Sequence, residues 1–285
     1  MFDITSSQSV TLIDTNTLKR IDSYQFPNCK LYWSDWSPNL TSCIAVGCSS
    51  STIRIIDIRS GSSLQQMTCR SMTGTVNHHM TRIIWSPLDT DCLIVGDSSG
   101  FLHIYDIRKP NRSVRVVGSD YTSCEPITCL QFTKDKMSVV TTHGLSNKLN
   151  LWHFSRSNLI NSNINFECPL VRSKQSKHSL NTSYIRCQIF ATDDYIFVPS
   201  ELKQFGRDVI SYDINNGTKV HSLSTSREGS FHSSGPNCVT GLDTGSGVIY
   251  SGGNQRLCVW SPKIDSEEDK KRLKKYYSDQ WSDSE

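Results

Sequence analysis

The chain has 285 residues, 36% hydrophobic, 20% charged and 9% aromatic, the composition of a globular protein rather than a disordered one. Thirty Lys and Arg against 27 Asp and Glu leave a formal charge of +3, and no charge excess demands a nucleic-acid or membrane-surface partner. No apolar run reaches the ~18 residues of a membrane helix, and MFDITSSQSV lacks the basic and apolar segments of a secretory signal. A soluble, intracellular protein is expected. The chain has 44 serines, a bias toward turns over long helices.

In chain order one pattern recurs: a short apolar strand, a Ser/Gly-rich turn, then a β-branched strand ending in an aromatic or apolar residue and often Asp. It occurs in MFDITSSQSVTLIDTNT, CIAVGCSSSTIRIIDIRSG, CLIVGDSSGFLHIYDIRKP, VVTTHGLSNKLNLWHF, YIFVPSELKQFGRDVISYDINNG and VIYSGGNQRLCVWSPK. The closing position falls at Asp14, Asp57, Asp106, His153, Asp213 and Ser261, in steps of 43, 49, 47, 60 and 48 residues. A further strand precedes most units: LYWSDWSP, TRIIWSP, ITCLQFTKD, IRCQIFATD and VTGLDTG. An outer strand follows the Asp, as in IRSGSSLQQM and INNGTKVHSL. Four strands in each ~40–45 residues predict an all-β fold, the WD-repeat β-propeller. Alternation in STIRIIDI and FLHIYDI predicts one buried face on each strand.

Blades of this kind often tie their turns with His, Ser or Thr, Asp and Trp. At the Asp position this chain has Ser7, Ser50, Ser99, Ser146 and Asn254, and only Trp152 and Trp260 keep the Trp, with Tyr105 and Tyr212 as substitutes. Apolar packing between blades is therefore expected to outweigh buried polar ties. Trp152 and Trp260 are expected as structural blade residues.

The propeller is expected over 1–262, as five blades and part of a sixth. The first blade lacks its inner strand and the last ends after three strands, which predicts an N-terminally shortened chain whose open edges make it poorly soluble alone. Residues 155–183, rich in Ser, Asn and Lys, read as an exposed insertion. Residues 263–285 read as a charged, flexible tail; its KKRLKK run is a solvated surface or a nuclear-localisation patch.

Little in the chain points to catalysis. GDSSG, from Gly96 to Gly100, matches the G-x-S-x-G pattern, yet that elbow needs a strand–turn–helix setting and here lies between two strands. A hairpin turn is expected and Ser98 is assigned no chemistry. His78 and His79 have no acidic neighbour in sequence, and the 11 cysteines contain no C-x-x-C pair. Cys43, Cys92, Cys129, Cys187 and Cys258 sit inside apolar runs, as reduced core thiols do. No catalytic, metal or cofactor site is expected.

A repeated Asp-x-Arg after the third strand, Asp57-Ile58-Arg59 and Asp106-Ile107-Arg108, has two readings. It is a surface charge pair of little worth, or Asp orients an Arg fork on the rim for a partner.

Several segments together resemble the Cockayne syndrome group A family of WD-repeat DNA excision repair proteins: MFDITSSQSVTLIDTNTLK, TRIIWSP through YDIRKP, YIFVPS, VIYSGGNQRLCVWSPK and DQWSDSE. The resemblance covers nearly the whole chain except 155–183. It implies a seven-bladed substrate receptor that links the large damage-binding adaptor of a cullin-RING ubiquitin ligase to stalled RNA polymerase II repair factors, including a Cockayne syndrome group B type ATPase. It implies a nuclear protein with no active site and no cofactor. The family's W-D-x-R box matches Tyr105, Asp106 and Arg108 and, more loosely, Asp57 and Arg59, which makes these the adaptor-interface candidates. Trp260 matches a packing Trp of the final blade. Direct nucleic-acid or membrane binding is not expected, since the propeller charge of about +4 has no basic stripe. Competing readings are a WD-repeat scaffold of another nuclear complex and, with least support, an enzyme using Ser98 or the histidines.

Overall fold

The computed structural model describes residues 2–5, 8–49, 52–60, 62–68, 80–109, 113–118, 125–143, 148–155, 158–164, 166, 188–199, 209–223, 238–241, 248–253 and 256–261. Among them the β-branched and aromatic runs form strands, Ser, Gly and Asp turns separate them, and no helix occurs. Six sheets result, each with consecutive strands side by side.

The first is three-stranded: β1 (Phe2–Thr5), β2 (Ser9–Ile13) and β3 (Arg20–Gln25). The second holds β4 (Leu31–Trp36), β5 (Cys43–Cys48), β6 (Thr52–Asp57) and β7 (Ser62–Thr68). The third holds β8 (Met80–Trp85), β9 (Cys92–Asp97), β10 (Leu102–Asp106) and β11 (Arg115–Val117). In the fourth are β12 (Ile127–Phe132), β13 (Ser138–His143), β14 (Lys148–Ser155) and β15 (Asn158–Asn161). The fifth has β16 (Phe190–Ala191), β17 (Tyr195–Pro199), β18 (Val209–Asp213) and β19 (Lys219–Leu223). The sixth is again three-stranded: β20 (Cys238–Gly241), β21 (Ile249–Gly253) and β22 (Arg256–Trp260).

The chain forms two compact units. One comprises 1–187, 191–196 and 212–220, the other 188–190, 197–211 and 221–285. In the first unit the sheets pack face to face. Cys43, Ala45, Ile53 and Ile55 of the second sheet meet Met80, Ile83, Trp85, Leu93, Val95 and Tyr105 of the third. From the other side of β5, Ile44 and Val46 pack with Val10, Leu12 and Phe26. On β9, Cys92 and Ile94 face Ile127, Val139 and Trp152 of the fourth sheet. All six residues of β5 and of β9 are consequently buried, and each fully buried aliphatic side chain contributes about 1.5–3 kcal/mol. One buried face per strand was expected; both faces are buried, because each sheet of this unit's interior is sandwiched between two others.

Close approach of these sheets requires glycine at Gly96, where an added Cβ would lie 2.8 Å from Ile127 Cγ2. The inner strands share a further device. Register shifts between Leu31 and Trp33, Met80 and Arg82, and Ile127 and Cys129 leave one extra residue in each, a β-bulge repeated from sheet to sheet. In two of them that residue is Thr, and its hydroxyl donates across to the next strand: Thr81 to the Gly96 carbonyl at 3.2 Å and Thr128 to the Thr142 carbonyl at 3.3 Å. The second unit centres on Val209, Val239 and Ile249, with Phe190, Phe197, Leu223 and Trp260 packed against them.

Residues 155–183 were expected outside the blades, and their beginning is not. Asn158–Asn161 is the fourth strand of its sheet, paired with β14, and Leu159 belongs to the core. The Asn-rich composition hid one buried Leu, which is all an outer strand needs. Residues 167–183, His78, His79 and the tail 263–285 lie outside the described residues.

Candidate rim interface

Four third strands end at one structural level. The residue after the closing position donates its N–H to the residue at or just before the start of the second strand: Ile58 to Ser42 (2.9 Å), Ile107 to Asp91 (2.9 Å), Phe154 to Met137 (2.8 Å) and Ile214 to Asp194 (2.8 Å). Where the closing residue is Asp, its carboxylate turns the chain. Asp14, Asp57, Asp106 and Asp213 each accept the N–H two residues on, from Asn16, Arg59, Arg108 and Asn215, at 2.7–2.9 Å. This is an Asx-turn. The Asp is thus first a turn former, common to blades with and without Arg, and Arg59 and Arg108 add a guanidinium to it.

Both arginines fold back onto their own aspartates as bidentate forks. Arg59 donates from Nε to Asp57 Oδ1 (3.1 Å) and from Nη2 to Oδ2 (2.8 Å). Arg108 repeats this on Asp106 at 2.9 and 2.7 Å. The Arg59 fork holds the Asp57 carboxyl down at about 2, and Arg108 lowers Asp106 likewise. The paired carboxylates raise both guanidinium values in return. The arginine side chains remain 76% and 67% exposed while Asp57 and Asp106 are far more covered. Solvent screens such pairs, so they contribute little to stability; what they supply is two guanidinium groups fixed in orientation on neighbouring blades.

Tyr105 stands apart from the other interface candidates. It is buried in the core between the second and third sheets, so it positions the turn and offers no surface to a partner. The same edge also carries exposed Leu18, Leu88 and Met137 in turns of three sheets.

Polar ties are more prominent than the sequence predicts. Trp152 Nε1 donates to Thr141 Oγ1 at 3.0 Å in the fourth sheet, and Trp260 Nε1 to Ser251 Oγ at 2.9 Å at the equivalent register of the sixth. Thr141 in turn lies 3.1 Å from His143 Nε2. In the third sheet Asp97 accepts the N–H groups of Ser99 and Phe101 (2.8 and 2.9 Å) and meets His103 Nε2 at 2.9 Å, both side chains buried. These ties stand beside the apolar packing between the sheets. Ser99 occupies the position where Asp was sought, and Asp97, two residues earlier and buried in the strand, does the work. The GDSSG segment is the expected turn between β9 and β10, with Gly100 at φ 87°.

Asp91 and Ser42, which flank the two forks, went unnoticed in the sequence. Each precedes its Asp-x-Arg aspartate by fifteen residues, a constant offset that repeat alignment would reveal. Among the described residues no three acidic, Cys or His side chains gather as metal ligands. No helix there is long and apolar enough to cross a membrane.

Comparison with solved structures places the architecture. The chain aligns with the β-propeller domain of Cps50 (Swd1) from Myceliophteria thermophila with a TM-score of 0.68, over 90% of this chain and 78% of that one, at 15% identity. The fold is a WD-repeat β-propeller. Identity this low carries the fold alone. No family model and no curated protein matches the sequence.

Proposed function

We propose that this chain is the substrate-recognition subunit of a cullin-RING ubiquitin ligase of the cullin-four type, acting in the nucleus in transcription-coupled nucleotide excision repair. The observation that carries this is the pair of Asp-x-Arg forks, repeated with matching geometry on neighbouring blades and exposed at one edge. Fixed arginine forks suit carbonyl and carboxylate acceptors, which is the role the resemblance assigns them against the large damage-binding adaptor. The subunit performs no chemistry. It binds the adaptor through this edge and repair factors elsewhere, the Cockayne syndrome group B type ATPase among them, and raises the target's effective concentration near the ligase.

Reversing both charges together, Arg59→Glu with Arg108→Glu, abolishes capture of the adaptor from nuclear extract while leaving the circular dichroism spectrum unchanged. Undiminished capture refutes this interface. It would favour the second reading, a WD-repeat scaffold of another nuclear complex, in which Asp57 and Asp106 serve only as turn formers as Asp14 and Asp213 do.

A further inference from the structure

The two forks share a sequence and differ in what stands beside them. Arg108 has a second carboxylate: Asp91 Oδ2 lies 3.3 Å from its Nη1. Asp91 comes from the turn entering β9, and its carbonyl accepts the Ile107 N–H. The matching position in the preceding blade, whose carbonyl accepts the Ile58 N–H, is Ser42. Arg59 therefore spends Nε and Nη2 on Asp57, and its Nη1 has no hydrogen bond or ion pair among the described residues.

Charge separates the forks further. Arg59 with Asp57 sums to zero. Arg108 with Asp106 and Asp91 sums to −1, and the sum is unchanged when Asp89 and Lys109, whose charges also act on this fork, are included. An incoming carboxylate meets a neutral fork with a free N–H edge at Arg59, and an occupied, negative one at Arg108.

We infer that Arg59 is the fork that receives a carboxylate from the adaptor, and that the residue before the second strand, Ser42 in one blade and Asp91 in the next, decides which fork is open. This rests on the ligase reading above and deepens it. Arg108 is then a shape-giving neighbour whose second carboxylate directs the acceptor away from it. A Ser at this position keeps a fork open and an Asp closes it.

The test is equilibrium binding of the purified full chain to the purified adaptor at low and high salt. Arg59→Glu weakens binding by roughly thirtyfold, the scale of an interface anchor, and Arg108→Glu by clearly less. Arg59→Lys, which keeps the charge and loses the planar fork, also weakens it. The exchange variants move in opposite directions: Ser42→Asp weakens and Asp91→Ser strengthens binding, each by roughly two- to fivefold as expected for a solvent-exposed ion pair. Wild-type affinity falls with salt. Equal losses for the two charge reversals, or exchange variants that leave affinity unchanged while Arg59→Glu weakens it, overturn the assignment and leave adaptor binding standing. An affinity indifferent to salt overturns the carboxylate as the acceptor. If the folded wild type does not bind the adaptor, or neither reversal matters, both the assignment and the ligase reading fail. Circular dichroism and thermal melting of each variant establish that it is folded.

Discussion

Replacing Thr141 with Val exchanges one hydroxyl for a methyl and leaves the side chain's shape almost unchanged. The oxygen removed accepts from Trp152 Nε1 at 3.0 Å and lies 3.1 Å from His143 Nε2. Thr141, His143 and Trp152 are all buried. No cavity opens, so the measured loss is that of the polar tie. Two hydrogen bonds at about 1 kcal/mol net each, together with a buried indole N–H that now faces a methyl group, cost about 2–4 kcal/mol. Thr141→Ser supplies the contrast: it keeps the oxygen and loses one methyl group, worth about 1 kcal/mol. Urea unfolding followed by circular dichroism measures both, with an unchanged m value marking a change in stability alone. A Val variant within about 0.5 kcal/mol of wild type, or a Ser variant that is the more damaging, would refute the reasoning. Trp152 would then be held by its apolar surroundings, as the sequence alone suggests.

Gly96→Ala pushes a methyl group to 2.8 Å from Ile127 Cγ2 and costs about 1–3 kcal/mol; Ile127→Ala removes that Cγ2, so the double variant in urea melts loses less than the two single losses combined. The Asp57 carboxyl, held at about 2 against an ordinary 3.8 by the Arg59 fork, contributes stability that is present above pH ~4 and lost as pH falls toward ~2. In Arg59→Ala the carbon-detected titration of Asp57 moves back up, and an unmoved midpoint would exclude the fork as the cause. Burial lowers His143 from 6.5 to about 4. Its unfolded form takes up a proton that the folded form refuses, so stability declines as pH falls from ~6.5 toward ~4, and His143→Phe flattens that part of the profile. Burial pushes the Cys48 thiol up to about 12, so a thiolate-selective reagent modifies it only after urea is added; rapid labelling of the native chain at Cys48 would contradict its placement.

Much of this protein is legible from local chemistry. The strand–turn–strand unit, its recurrence and the closing residues Asp14, Asp57, Asp106 and Asp213 depend on β-branched runs and on a carboxylate that caps its own turn. Both are interactions between residues close in the chain, so the sequence by itself determined them. The bidentate Arg59 and Arg108 forks belong to the same class, two residues from their partners. What only the tertiary structure decided involves residues far apart. Both faces of β5 and β9 are buried because sheets lie on either side, which no strand's own alternation records. Leu159 makes a core strand out of an apparent insertion because a sheet was waiting for it. Thr141 and Ser251 become ties only when the next strand brings an indole N–H within 3.0 Å. Asp91 and Ser42, fifteen residues from their aspartates, distinguish two forks of the same sequence because the strand pairing sets each turn beside the other. Local pattern names the elements; the charge and packing that each element meets depend on the neighbour the fold supplies.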